Sequence, residues 1–232
     1  MDDSRALLAS STRTAERVSA FLTKVYGWMG IGLGITAAVA YLVSSSPALT
    51  SALMANRLVF FALVLVELGL VFFLSARVHS LQPGTAAGLF VGYATLNGVT
   101  LSLILLIYTG ASIATTFIVT GAMFGALAVY GTTTSRSLAG AGQFFFMGLI
   151  GLVLASIVGM FWHSDALQFL ITVVGVIVFT GLTAWDAQRL KQMALMLPDG
   201  QAGAYAVVGA LSLYLNFVNL FLMLLRLQGR RD

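Results

Sequence analysis

Seven apolar stretches recur along this chain, at about Val25–Val43, Leu58–Ala76, Ala86–Tyr108, Ile113–Tyr130, Phe144–Trp162, Leu167–Trp185 and Tyr205–Leu227. Each approaches the roughly 20 residues that a helix needs to cross about 30 Å of hydrocarbon. In lipid every backbone polar group has to be satisfied within the segment, so such spans are helices. The charge content agrees: 9% of residues are charged and 59% are hydrophobic, against about 25% charged in soluble domains. The expected fold is an all-α integral membrane protein, a seven-transmembrane-helix bundle.

The links carry the helix-ending chemistry. Pro47 follows a Ser run, Pro83-Gly84 separates the second and third spans, Thr132–Ser137 with Arg136 separates the fourth and fifth, and Pro198-Asp199-Gly200 precedes the seventh. Several links are only a few residues long, so consecutive helices are antiparallel neighbours in one domain, residues 25–232. The first 24 residues do not read as a cleavable signal peptide, being long, polar and mixed in charge. Two readings fit this tail: a flexible segment, or a short amphipathic helix along the headgroups, with Arg13, Glu16, Arg17 and Lys24 set among Leu7, Leu8, Val18, Phe21 and Leu22.

Cation placement orients the chain. With seven crossings, Arg5, Arg13, Arg17, Lys24, Arg77, Arg136, Arg189 and Lys191 share the N-terminal side, and Arg57, Arg226, Arg230 and Arg231 the other. That bias favours a cytoplasmic N-terminus. The basic C-terminus is discordant, and would agree if the last segment re-entered. Its length, Tyr205–Leu227, favours a full crossing. Gly30/Gly34, Gly84/Gly88/Gly92 and Gly121/Gly125 repeat at the four-residue spacing that lets helix backbones approach closely, and predict a tight bundle. Nothing among them specifies a dimer, so a monomer or weak homo-oligomer is expected.

Polar residues inside the spans are the candidate site. A charge deep in a membrane helix costs at least about 2.5–3.5 kcal/mol and needs a partner or a wet cavity. Glu67 lies nine residues into the second span, about 14 Å along it at 1.5 Å per residue. One reading makes it a hydrogen-bonded carboxyl that pins two helices; the other places it in an ion or proton path. In the seventh span Ser212, Asn216 and Asn219 share one face at i, i+4 and i+7, so that helix runs through the bundle centre. Asn97 sits at similar depth in the third span. Glu67, Asn97, Ser212, Asn216 and Asn219 are therefore the expected mid-membrane polar layer. For Asn97 and Asn216 plain interhelical hydrogen bonding, about 0.6 kcal/mol per contact, is favoured over a direct functional role. Asp186 emerges about 28 Å along the sixth span, on the side where Arg77 ends the second, and the two are expected to meet as a salt bridge. Asp186 and Glu67 are the only candidate cation ligands in the spans.

Several chemistries are excluded. The lysines, Lys24 and Lys191, stand at boundaries, so no retinal Schiff base forms within a span. The histidines, His79 and His163, fall in loops on opposite sides and cannot share a metal. There is no cysteine, phosphate-cradling glycine loop, HExxH or GxSxG motif. An enzyme is not expected, nor a tightly bound cofactor. The net charge of +4 comes largely from the tail and links and does not form a nucleic-acid footprint; the expected partner is the lipid bilayer.

Four stretches carry a family likeness: Phe21–Tyr26, Glu67–Phe72, Thr180–Lys191 and Ala210–Arg226. With them the chain resembles the transmembrane Bax inhibitor motif family, from about residue 20 to the C-terminus, and most of all its bacterial inner-membrane branch. The resemblance implies seven helices with the last one central, and a pH-sensitive calcium leak. In that family an aspartate ending the sixth helix and another in the seventh share a proton and pair with an arginine on the second. Asp186 falls on the first aspartate and Arg77 on, or within one residue of, the arginine. Asn216 stands where the second aspartate would be. Two close carboxylates raise one another's affinity for protons; an Asp–Asn pair has lost one titrating group and one negative charge. Weaker pH gating and weaker divalent-cation binding are expected, with Ca2+ as permeant ion. A second bacterial branch is similar to non-conducting regulators of a membrane-anchored AAA protease. For such a partner the basic tail, residues 1–20, is the expected contact.

Overall fold

Long apolar segments bounded by proline, glycine and polar clusters fold here into eight α-helices among the described residues. The computed structural model describes residues 2–162, 164–198 and 202–230; His163, Asp199, Gly200 and Arg231 lie outside the described residues. The helices are α1 (Asp2–Ser44), α2 (Pro47–Ala55), α3 (Arg57–Arg77), α4 (Pro83–Leu101), α5 (Gly110–Thr133), α6 (Ala139–Phe161), α7 (Asp165–Met196) and α8 (Ala202–Gln228), with a 3-10 turn (Ser102–Leu106) closing α4. The chain is 90% helical, and no strand occurs among the described residues.

Seven of the helices are long and apolar enough to cross a membrane: α1, α3, α4 with its 3-10 turn, α5, α6, α7 and α8. Their burial identifies the solvent. Only 6% of the α3 span window and 11% of the α6 window is buried, against 67% for α8. Phe61, Phe72, Phe144, Phe161 and Leu58 all stand exposed, an apolar surface that a water-soluble monomer does not carry. The last span is the most enclosed of the seven.

The boundaries follow local chemistry. Asn56 caps α3, its side chain accepting from the Leu58 and Val59 N–H groups at 3.0 and 3.4 Å. Thr109 caps α5 by accepting from the Ser112 N–H at 3.2 Å. The link after the first span holds an additional helix, α2, entered through Ser46 with Pro47 in its first turn, where proline's missing N–H costs nothing. Two helices also outrun their apolar stretches. α1 continues without a break back to Asp2, so the tail is drawn as part of the first helix. α7 runs about 48 Å at 1.5 Å per residue, because Ala187–Met196 contains good helix formers and no glycine or proline.

Two compact units divide the chain, residues 1–100 with 189–211, and residues 101–188 with 212–232. In the first, Phe21, Val25, Leu74, Phe90, Leu190, Val207 and Ala210 are buried. The Thr36 hydroxyl donates to the Ala94 carbonyl at 2.8 Å, and a methyl on Gly98 would come within 2.8 Å of the Thr36 carbonyl. The chain also ties Tyr205 on α8 to His79 after α3 through the tyrosine hydroxyl, and Arg17 to the Leu197 carbonyl at 2.9 Å. In the second unit, Leu152, Ile171, Val178, Phe179, Leu182, Leu220, Met223 and Leu224 form one apolar cluster. Phe217 packs edge-on to Phe117 and Phe124, with ring centres 5.4 and 5.5 Å away.

α8 crosses fully. Its first turn, at Gly203, meets Pro83 at the start of α4, and Gly229 beyond its end meets Tyr108, past the end of that span. The Thr109 N–H donates to the Arg230 carbonyl at 3.1 Å and the Arg230 N–H to Ser112 Oγ at 3.0 Å, tying the C-terminal end to the start of α5. The glycine expectation requires correction. Gly30, Gly34, Gly84, Gly88, Gly92, Gly121 and Gly125 have open space where a side chain would stand. The close approaches fall on isolated glycines instead: Gly131 against the Ala184 carbonyl, Gly142 under the Trp185 ring and Gly181 against Phe145. Spacing alone does not say which face of a helix meets a neighbour.

Candidate functional site

Two buried carboxylates stand within the spans, one in each unit, and each is held by an asparagine. In the first unit Glu67 is the eleventh of the 21 residues of α3, and 8% of it is exposed. Asn97 and Thr100, three residues apart and so on one face of α4, reach it together. Asn97 Nδ2 donates to Glu67 Oε2 at 3.1 Å and the Thr100 hydroxyl to Oε1 at 3.0 Å. Thr100 Oγ1 also lies 3.0 Å from the Asn97 carbonyl. That hydroxyl carries one proton and faces two acceptors, so the network closes in either state of Glu67. An ionised carboxylate takes the threonine proton; a protonated one donates to Thr100 Oγ1, which then donates to the Asn97 carbonyl.

In the second unit Asp186, also 8% exposed, accepts from Asn216 Nδ2 at 2.7 Å, a charge-assisted hydrogen-bond length. The pair links α7 to α8. Asn219, expected on the same polar stripe, donates instead to the Leu215 carbonyl of its own helix at 2.8 Å, and Ser212 is half-buried. The structure therefore joins Glu67 to Asn97 and Asp186 to Asn216. Arg77 stands exposed in the last turn of α3 and belongs to the first unit, whereas Asp186 belongs to the second.

Two contributors carried no signal in the sequence beyond their type. Thr100 supplies the second donor to Glu67. Gln188, 7% exposed, accepts from the Leu138 N–H at 2.7 Å and donates to the Arg136 carbonyl at 2.8 Å, fastening the α5–α6 link to α7 two residues beyond Asp186. Among the described residues no group of three or more His, Asp or Glu side chains is placed to hold a metal.

The comparisons with known proteins agree with this architecture. The family described as "Inhibitor of apoptosis-promoting Bax1" matches residues 18–232. The chain is 48% identical over 214 residues to the inner membrane protein YbhL of Escherichia coli strain K12, covering 91% of this chain and 92% of that one. It is 41% identical over 221 residues to a Deinococcus radiodurans protein, covering 95% and 94%. It is 36% identical over 224 residues to an uncharacterised membrane protein of Streptococcus pyogenes, covering 95% and 97%. Seven helices long and apolar enough to cross a membrane, the match over residues 18–232 and these near full-length relatives together make the chain a member of the Bax inhibitor-1 family of membrane proteins.

Proposed function

We propose that this protein is a cation leak of the bacterial inner membrane, passing Ca2+ down its gradient, with its N-terminus cytoplasmic. Asp186 is its ion-facing carboxylate and Asn216 the neutral partner. The observation that carries the reading is the Asp186–Asn216 pair: a buried carboxylate, 2.7 Å from an amide on the most enclosed span. An ionisable group buried between helices of a membrane protein is a functional-site candidate by default. Arg77 is the competing cation in this reading, as the family resemblance implies. Glu67 has a protein donor on each oxygen, which favours its role as a pin between α3 and α4. Purified protein in liposomes loaded with a Ca2+ indicator tests the proposal. Wild-type protein passes Ca2+, and Asp186→Asn lowers the flux about tenfold, the effect of losing roughly 1.4 kcal/mol of ion stabilisation. Flux equal to that of empty liposomes refutes it.

A second reading, restraint of a membrane-anchored AAA protease, draws on α1. Its residues 12–17, including Arg13 and Arg17, stand exposed on a helix, a surface suited to a partner. Pull-down of the protease, lost on deletion of residues 1–20, favours that reading.

A further inference from the structure

The α5–α6 link has little of its own to hold it. Thr134 to Leu138 lie between two helices, and their internal bonds are local: the Thr134 N–H to the Tyr130 carbonyl at 2.9 Å, the Arg136 N–H to Thr134 Oγ1 at 3.3 Å and the Ala139 N–H to Ser137 Oγ at 3.4 Å. Ser135, Arg136 and Ser137 are exposed. The Arg136 carbonyl and the Leu138 N–H are both taken by one side chain, Gln188. A carboxamide offers an acceptor and donors in one rigid plane. Used in opposite senses on residues two apart, it grips the link as a neighbouring strand would. Gln188 is nearly enclosed, so parting this contact strands polar groups away from water.

Asp186 is two residues earlier on the same helix. Residues i and i+2 of an α-helix point about 200° apart, and accordingly Asp186 meets α8 while Gln188 meets the link. We infer that Gln188 is a positioning residue for Asp186, tying the exposed link 134–138 to the carboxylate so that neither shifts alone. This end of α7 is gripped from both sides, and a turn of the helix that parts Asp186 from Asn216 also pulls on Gln188. Whatever engages Ser135, Arg136 and Ser137 therefore acts on Asp186. The consequence for ion flow rests on the proposed leak; the linkage itself does not.

The experiment uses the full-length protein and two variants that cut the same contact from opposite ends. Gln188→Met removes both bonds and keeps the side chain's length. Leu138→Pro cuts the contact from the link, replacing the N–H with a ring carbon that turns the Gln188 carboxamide away, at a residue whose φ of −90° is near the range proline adopts. In Ca2+ liposomes Leu138→Pro raises the maximal leak about fivefold, as loss of about one hydrogen bond implies, Gln188→Met, which loses two, raises it at least as much, and the double variant rises no further than Gln188→Met. The second measurement is hydrogen exchange of the amides of residues 134–142. Asn216→Ala removes the Asn216–Asp186 bond, and it speeds exchange of the link in the wild-type background but not in Gln188→Met. Unchanged exchange in Asn216→Ala overturns the linkage, as does a leak raised by Gln188→Met and not by Leu138→Pro. A wild-type protein that does not leak refutes the transport reading alone, and the exchange measurement then decides the linkage.

Discussion

Replacing Glu67 separates a pin from a pathway. Its two hydrogen bonds, 3.0 and 3.1 Å long, cross from α3 to α4, and α3 is the least buried span, so few other contacts offset their loss. Hydrogen bonds inside membrane proteins average about 0.6 kcal/mol and reach about 1.7; losing both in Glu67→Leu therefore costs about 1–3 kcal/mol. Glutamine behaves differently. Its carbonyl accepts from Asn97 Nδ2 while its NH2 donates to Thr100 Oγ1, whose proton turns to the Asn97 carbonyl 3.0 Å away. Glu67→Gln thus keeps both crossings and costs under about 1 kcal/mol. Reversible unfolding by SDS titration in mixed micelles measures both changes, and liposome flux on the same samples shows whether the charge matters. Glutamine as destabilising as leucine refutes the network geometry. A glutamine variant of full stability and lost flux refutes the pin and returns Glu67 to the ion path.

Two further tests address the frame of the site. Gly131→Leu drives a side chain into the Ala184 carbonyl and lowers the yield of folded protein, whereas Gly121→Leu, at an open position, leaves the melting temperature in detergent within a few degrees of wild type. Asn56→Ala removes the acceptor from the Leu58 and Val59 N–H groups and costs about 1 kcal/mol, read by the same SDS titration.

The spans were legible because hydropathy reports on the surrounding solvent and the hydrocarbon has a fixed thickness. Helix ends outside it were not, since that thickness sets no limit on a helix that continues into the headgroups. α1 and α7 run on past their apolar stretches for want of a breaker, and α2 forms in the link because Ser46 and Pro47 start a helix. Glu67 stood out by its type and depth, and Asn97 by its similar depth. Thr100 did not, because threonine in an apolar helix usually returns its hydroxyl to its own backbone, as Thr120 and Thr183 do here. Gln188 was hidden for a deeper reason. Its partners are the Arg136 carbonyl and the Leu138 N–H, backbone atoms that every residue type provides, so no choice of residue in the link signals the contact.

The asparagine at position 216 decides what kind of opening the proposed leak undergoes. Two ionised carboxylates about 4 Å apart repel by about 4 kcal/mol at an effective dielectric of 20, and a pair of aspartates escapes that cost by sharing a proton. Asn216 carries no charge and does not titrate, so the repulsion is absent, and its amide donates directly to the carboxylate at 2.7 Å. A proton therefore has less to do at this pair than at two aspartates. What remains is competition for Asp186, from a passing cation or a basic side chain, or a pull on the helix that carries it. Gln188 provides the point of application for such a pull, two residues from the carboxylate and bonded to an exposed link. Exchanging the asparagine for aspartate accordingly gives the proposed leak a steeper pH dependence than that of the native protein. A leak in the native protein that already varies as steeply with pH as that of Asn216→Asp would show that another group, and not this pair, senses protons.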